Sequence, residues 1–358
     1  MFAVIMAGGS GNRFWPISRA KNPKQLLKII GEECMLVETC NRLNPLIKDE
    51  EIIVIIGSIH RQETEKVLLN RNVHLIAEPV GKNTAPCIGL GALIALQMGC
   101  DKPVAFLPAD HFIANPSSFL DALKTASTVA ESGGIVLLGI IPTRPETGYG
   151  YIKKSVSGSE LGGHKVYQVD AFVEKPDQTK ALQYLANEDY YWNAGIFVAT
   201  PGTIMAEIKK NIPDLYEGLE SLKKSLGTDS FENEMERVYG ELQPVSFDYG
   251  IMEKTHSPLY IVPCECGWSD VGSWNSLYEL RKKESDRSGN LADGNVLLID
   301  CSNSFISENS KRLVTCLGID KCLVIDTPDA LLIADIDRSQ DIRKIVDILR
   351  KNNKTELL

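Results

Sequence analysis

Along the first 140 residues, apolar runs of strand length alternate with longer stretches whose apolar positions recur at helical spacing. Residues 2–6, 52–56, 73–77, 104–107 and 135–140 read as strands, and residues 35–43, 62–69, 85–98 and 119–130 read as helices. Pro116 offers a start signal for the last of these helices, whereas Gly89 and Gly91 count against the middle of theirs. Strand runs that are apolar throughout, without polar alternation, mark a sheet covered on both faces. The expectation is therefore a doubly wound, Rossmann-like α/β domain with a parallel sheet. Ligands of such sheets sit beyond the carboxyl ends of the strands, so chemistry is to be sought just after each one.

From about residue 142 the pattern becomes mixed. Residues 167–173 and 196–199 read as strands and residues 181–185 and 204–208 as helical, the place for insertions that contact a second substrate. After Arg287-Ser288-Gly289-Asn290 short apolar runs at 296–299, 313–316, 323–325 and 331–333 precede an amphipathic helix at 342–349. A boundary near Asp286 divides the chain into a first domain, 1–285, and a small β-rich C-terminal domain, 286–358.

Composition narrows the function. A net charge of -9 excludes a basic nucleic-acid-coating domain, and 44% apolar with 24% charged residues describes an ordinary folded protein. The apolar stretch at 135–141 is far short of the ~18 residues of a membrane helix, and no basic residue precedes Arg13, so neither a membrane span nor a leader is expected. Nine cysteines without a CxxC pair fit reduced thiols in a cytoplasmic protein better than disulfides or zinc. Against this acidic background Arg13, Arg19, Lys21, Lys24 and Lys28 all precede the first acid, Glu32, which suggests a local anion site.

That basic segment follows the first strand through Gly8-Gly9-Ser10-Gly11-Asn12-Arg13. Glycines let backbone N–H groups approach phosphate oxygens, and arginine adds a forked cationic donor. The turn lacks the Gly-Lys-Ser/Thr ending of a P-loop, and its spacing is not GxGxxG. It continues as Phe14-Trp15-Pro16-Ile17-Ser18-Arg19 and Asn22-Pro23-Lys24-Gln25. Downstream come Glu78-Pro79-Val80-Gly81-Lys82-Asn83-Thr84-Ala85-Pro86, Leu107-Pro108-Ala109-Asp110-His111 and Glu146-Thr147-Gly148-Tyr149-Gly150-Tyr151-Ile152. Phe172-Val173-Glu174-Lys175-Pro176, Trp192-Asn193-Ala194-Gly195-Ile196-Phe197, Ser246-Phe247-Asp248-Tyr249-Gly250 and Gly267-Trp268-Ser269-Asp270-Val271-Gly272 complete the series.

In this order, over about residues 3–275, these motifs resemble the sugar-1-phosphate nucleotidylyltransferases, and their wording is most similar to the mannose-1-phosphate guanylyltransferases. The resemblance implies a nucleotidyltransferase domain that forms GDP-mannose and pyrophosphate from GTP and mannose 1-phosphate with Mg2+. It places Gly8, Gly9, Ser10, Gly11, Arg13 and Lys24 at the triphosphate, and Glu78, Gly81, Asn83 and Thr84 at the nucleoside. Gly150, Glu174, Lys175 and Asn193 fall to the sugar phosphate, and Asp110 and Asp270 to the metal. Arg13, Lys24, Asp110, Lys175 and Asp270 are the expected catalytic set. His111 is read as a packing or orienting residue, since Mg2+ prefers oxygen, and the four tryptophans receive no role. Lys82 stands where the family often has Arg, and Asn12 where Thr is common.

Some relatives continue into a phosphomannose isomerase domain; the remainder after Asp286 is too short for one, so no isomerase activity is expected. The tail resembles the family's small C-terminal domain, which packs either on the catalytic domain or on another subunit of a homodimer. Two other functions stay open: transfer to a different sugar 1-phosphate, and a silent paralogue that binds a sugar nucleotide and regulates a partner. The presence of Lys24, Asp110, Lys175 and Asp270 speaks against the second.

Overall fold

A computed structural model describes residues 1–9 and 11–358. Ser10, expected at the triphosphate, lies outside the described residues. The chain forms two compact units, one of residues 1–9 and 36–268, the other of residues 10–35 and 269–358. Packing thus cuts across the linear boundary near Asp286 by assigning the basic N-terminal segment to the same unit as the C-terminal tail. Residues far apart in sequence cause this, as the contacts of Trp15, Arg19 and Lys24 show below.

The first unit holds a nine-stranded sheet, a short strand outside that sheet, and helices. Its strands are β1 (Phe2–Ala7), β2 (Ile52–Gly57), β3 (His74–Glu78), β4 (Val104–Pro108), the short β5 (Phe112–Ile113), β6 (Ile135–Ile140), β7 (Tyr151–Leu161), β8 (His164–Val173), β9 (Tyr190–Ala199) and β10 (Leu259–Pro263). The order across the large sheet is β3-β2-β1-β4-β9-β6-β10-β8-β7. Strands β3, β2, β1 and β4 are mutually parallel, as the unbroken apolar runs require. Strand β6 runs in the same direction as these four, while β9, from the stretch whose pattern is mixed, enters between β4 and β6 antiparallel to both. The β7–β8 hairpin and β9 come from the mixed stretch after residue 142; β7 and β8 are joined by a tight turn, whereas a helix at residues 178–185 separates β8 from β9.

Helices α1 (Met35–Leu43), α2 (Arg61–Val67), α3 (Thr84–Gln97), α4 (Pro116–Glu131), α5 (Gln178–Leu185), α6 (Pro201–Asn211), α7 (Pro213–Ser225) and α8 (Phe231–Glu241) follow in the chain. Asn115 caps α4 by accepting from Ser118 N. Helices α3, α6, α7 and α8 share one buried cluster with Val4, Ile53, Ile55 and Phe106, while the alternate positions Ala3, Ile5, Ile52 and Val54 are as deeply buried on the opposite face. The glycines of α3 have a packing reason: a Cβ at Gly91 would lie 2.5 Å from Val4, and one at Gly89 would lie 2.7 Å from Leu219. Their absence lets α3 fit between β1 and the outer helices. Among the described residues no helix is long and apolar enough to cross a membrane.

In the second unit, α9 (Trp274–Arg281) leads into parallel coils. Leu291–Asp293, Phe305–Glu308 and Cys322–Asp326 stack in register, Leu331–Asp335 closes that sheet antiparallel, and Val296–Ile299 pairs with Val314–Leu317. The amphipathic helix α10 (Ile342–Lys351) buries Ile342 and Val346.

Candidate active site

In the second unit the basic loop is built tightly. Gly11 has φ +60°, and a Cβ there would come 2.5 Å from Lys24 N, so only glycine fits. The loop turns through Ile17 N and Ser18 N, both 2.9 Å from Phe14 O, and the Arg19–Asn22 bridge closes it. Lys24 is only 3% exposed, and its Nζ donates to Asp270 O at 2.6 Å. Asp270 is half-buried and its Oδ1 accepts from Gly272 N at 3.1 Å. A Cβ at Gly272 would lie 2.5 Å from Asp270 Oδ2 and 3.2 Å from Arg13 Nη1, so Arg13, Lys24 and Asp270 converge on one turn. Arg13 is exposed. Two cations and a carboxylate thus meet at a turn whose third residue is a glycine.

In the first unit, Gly8 leaves the end of β1 beside Glu78, the last residue of β3: a Cβ on Gly8 would lie 3.2 Å from Glu78 Oε2. Tyr239 OH donates to Glu78 Oε1 at 2.9 Å. Burial pushes the Glu78 carboxyl up to about 7, against the opposing effect of the Tyr239 bond. Gly81 faces open space, and Asn83, at φ +71°, caps α3 by accepting from Thr84 N at 2.9 Å. Thr84 Oγ1 accepts from Phe247 N at 2.8 Å, while Lys82 Nζ donates to Leu242 O at 2.6 Å. Lys82 thus ties this strap to the end of α8.

Half-buried Asp110 follows β4. Its neighbour His111 accepts through Nδ1 from Trp268 Nε1 at 3.1 Å, an orienting contact like the one anticipated. Trp268 meets Tyr149 edge-on at 5.3 Å, Tyr149 meets Trp192 at 5.3 Å, and Arg144 lies 5.2 Å over Trp192. Trp192 and Trp268, to which the sequence assigns no role, thus both pack against Tyr149.

The structure brings Gly150, Glu174, Lys175 and Asn193 together. Asn193 N donates to Gly150 O at 2.8 Å, and Lys175 N donates to Tyr149 O at 3.2 Å. Lys175 Nζ pairs with Glu174 Oε1 at 2.7 Å. Burial works against the Lys175 ammonium, yet the Glu174 bond and charge carry its pKa above the ordinary lysine value. A Cβ at Gly150 would fall 2.5 Å from Glu174 Oε2 and 3.2 Å from Asn193 Cβ. Among the described residues, Glu174 Oε2 is buried without a hydrogen-bond partner. Asp248 completes the group by accepting from Asn193 Nδ2 at 2.8 Å; burial first, and the Glu174 charge second, push its carboxyl up to about 6. Sequence reasoning gives Asp248 no role, although the motif that holds it stands in the series above. Among the described residues no cluster of three or more His, Cys, Asp or Glu side chains suits a metal ion.

Residues 2–287 match the family model described as nucleotidyl transferase, and residues 294–349 match the MannoseP isomerase/GMP-like beta-helix domain. A mannose-1-phosphate guanylyltransferase of Escherichia coli is 39% identical, the alignment covering 99% of this chain and 75% of the relative. The alginate biosynthesis protein AlgA of Pseudomonas aeruginosa is 37% identical over 99% of this chain and 73% of its own. The crystal structure of mannose-1-phosphate geranyltransferase from Thermus thermophilus superimposes with a TM-score of 0.85 at 32% identity, covering 98% of this chain and 99% of that one. Together with the glycine-rich loop and the Glu174-Lys175 group, these likenesses establish that the chain is a nucleotidyltransferase belonging to the mannose-1-phosphate guanylyltransferase family.

Proposed function

We propose that the chain transfers GMP from GTP to mannose 1-phosphate, releasing pyrophosphate. The observation that carries this reading furthest is the Glu174-Lys175 group: a buried carboxylate oxygen with no donor stands next to an ammonium, in a space kept open by Gly150. A sugar phosphate supplies hydroxyl donors for the unpartnered Glu174 Oε2 and a second anion beside the Lys175 ammonium, which is already paired with Glu174 Oε1. The names of the relatives support mannose as the sugar.

In the reaction a phosphate oxygen of the sugar phosphate attacks the α-phosphorus, forming one P–O bond while the bond to the β-phosphate oxygen breaks and pyrophosphate leaves with its electron pair. No covalent nucleophile is required, and the chain's task is to position and neutralise anions. Arg13 and Lys24 stabilise charge on the leaving group, Gly8, Gly9 and Gly11 bring backbone donors to the phosphates, and the strap from Glu78 to Thr84 faces the nucleoside. Asp110 and Asp270 would hold Mg2+, which supplies charge neutralisation on the phosphates when bound. Their fit rests on donor chemistry, since both offer hard carboxylate oxygens and both are half-buried.

The same reading includes a reducing, cytoplasmic setting, supported by nine cysteines all in the thiol form, and a homodimer, supported by Leu297, Ile299 and Leu317 exposed together on the paired tail strands. Pyrophosphate release from a panel of nucleoside triphosphates and sugar 1-phosphates tests the substrates. GTP with mannose 1-phosphate is expected to be the best pair; faster turnover of UTP or dTTP with glucose 1-phosphate overturns the sugar and base assignment. Binding of GDP-mannose without turnover of any pair selects the silent paralogue instead.

A further inference from the structure

The motif Phe14-Trp15-Pro16-Ile17-Ser18-Arg19 lies between Arg13 and Lys24, and its two most distinctive side chains bond the far end of the same unit. Trp15 is 7% exposed, and its Nε1 donates to Leu357 O at 2.8 Å. Arg19 Nη1 donates to the same carbonyl at 2.6 Å, its Nε donates to Pro16 O at 2.7 Å, and its Nη2 pairs with Asp329 Oδ1 at 2.8 Å. One guanidinium therefore joins the loop's own turn, the tail segment around Leu357 and the turn before Leu331–Asp335. Asp329 is itself held, its Oδ1 accepting from Thr327 Oγ1 at 2.9 Å. From the other side Trp274 Nε1 donates to Trp15 O at 3.2 Å, and its ring lies 5.0 Å from that of Phe14.

We infer that Trp15 and Arg19 are positioning residues for nucleotide binding, and that the β-rich tail, through Leu357 O and Asp329, sets the shape of the phosphate loop. The inference rests on the reading of this loop as the nucleotide site. Glycine-rich turns lose much conformational entropy when ordered, and that cost falls on the ligand unless the protein has already met it. A carbonyl that receives two donors from the loop, from a segment more than 300 residues away in sequence, gives the loop an anchor outside itself. The Arg19–Asp329 pair, exposed on its Asp329 side, adds little by itself, whereas the part-buried bonds to Leu357 O are the stronger anchors.

The test compares wild type with Trp15→Phe, Arg19→Gln, Arg19→Lys and Asp329→Asn, reading KM for GTP, KM for mannose 1-phosphate, kcat and thermal unfolding. Trp15→Phe keeps an aromatic ring and removes only the donor, and Asp329→Asn changes an exposed side chain that does not endanger folding. The expected result is a KM for GTP raised roughly tenfold in Trp15→Phe and Arg19→Gln, partly restored in Arg19→Lys and changed least in Asp329→Asn. KM for the sugar phosphate and kcat stay within about twofold. A purely structural role would lower the unfolding temperature and the active fraction while leaving KM for GTP unchanged, and that outcome overturns the inference. Direct GTP binding by wild type is measured in the same series. If wild type does not bind GTP, the nucleotide reading itself is what failed, and the inference falls with it; if wild type binds and the variants bind equally well, the inference alone is wrong.

Discussion

Lys24 and Asp270 stand 246 positions apart in sequence, and the ammonium of the first donates to the main-chain carbonyl of the second at 2.6 Å. The bond aims a buried cation along the turn that also carries the Asp270 carboxylate and approaches Arg13. A lysine held this way is oriented before charge appears, the condition under which electrostatic stabilisation costs no reorganisation.

Lys24→Ala is accordingly expected to reduce kcat by roughly 100-fold or more, with a smaller change in GTP affinity. Single-turnover measurements beside equilibrium nucleotide binding separate the two effects. Turnover near that of wild type would remove Lys24 from the mechanism.

Gly150 has a sharper steric role. Gly150→Ala places a methyl group 2.5 Å from Glu174 Oε2 and 3.2 Å from Asn193 Cβ, which displaces the carboxylate proposed to receive the sugar hydroxyls. KM for mannose 1-phosphate should rise at least about tenfold while KM for GTP holds. Equal loss toward both substrates would contradict the assignment of this group to the sugar.

Glu78 and Asp248 make stability depend on pH in a stated direction. Burial raises Glu78 from 4.5 to about 7 and Asp248 from 3.8 to about 6, so the folded chain keeps protons that the unfolded chain releases. Their contribution is fully present below the ordinary carboxylate values and is lost as pH rises through about 6 to 7. Denaturant unfolding should show stability declining across that window, and Glu78→Gln should flatten the decline. Removing the Tyr239 donor, which holds the Glu78 pKa down, should move the upper end of the window higher. A Glu78→Gln profile parallel to that of wild type would show that Glu78 does not titrate there.

Asp110→Asn and Asp270→Asn should each cripple activity at ordinary Mg2+, and the double variant should be little worse than either one, as expected of groups that act as a unit. Mg2+ titrations of rate beside thermal unfolding check this. A normal Mg2+ requirement in either single variant would sink the shared-ligand proposal.

Much of this was legible in the residues. The all-apolar runs of β1, β2 and β4 announced a sheet covered on both faces, and the glycines after β1 announced a tight turn, which Gly11 at φ +60° forms. Partnering beyond β4 was not legible, because the antiparallel entry of β9 between β4 and β6 depends on long-range strand pairing that leaves no mark in periodicity. Gly89 and Gly91 looked like helix breakers because their reason is Val4 and Leu219, which local sequence does not show. At the site, the charged members of each motif were recognisable, whereas Asp248 and Tyr239 depend on burial and on partners, Asn193 and Glu78, that come from other elements. Trp15 and Arg19 read as part of a binding motif, and their bonds to Leu357 O became apparent only in three dimensions.

The central claim is that mannose 1-phosphate itself attacks GTP on this chain. Mannose 1-phosphate carrying 18O in its phosphate, incubated with GTP, Mg2+ and the protein, tests it by phosphorus NMR. The account predicts GDP-mannose that retains the label entirely, with unlabelled pyrophosphate in equal amount. Label in pyrophosphate, or pyrophosphate released without GDP-mannose, would contradict it.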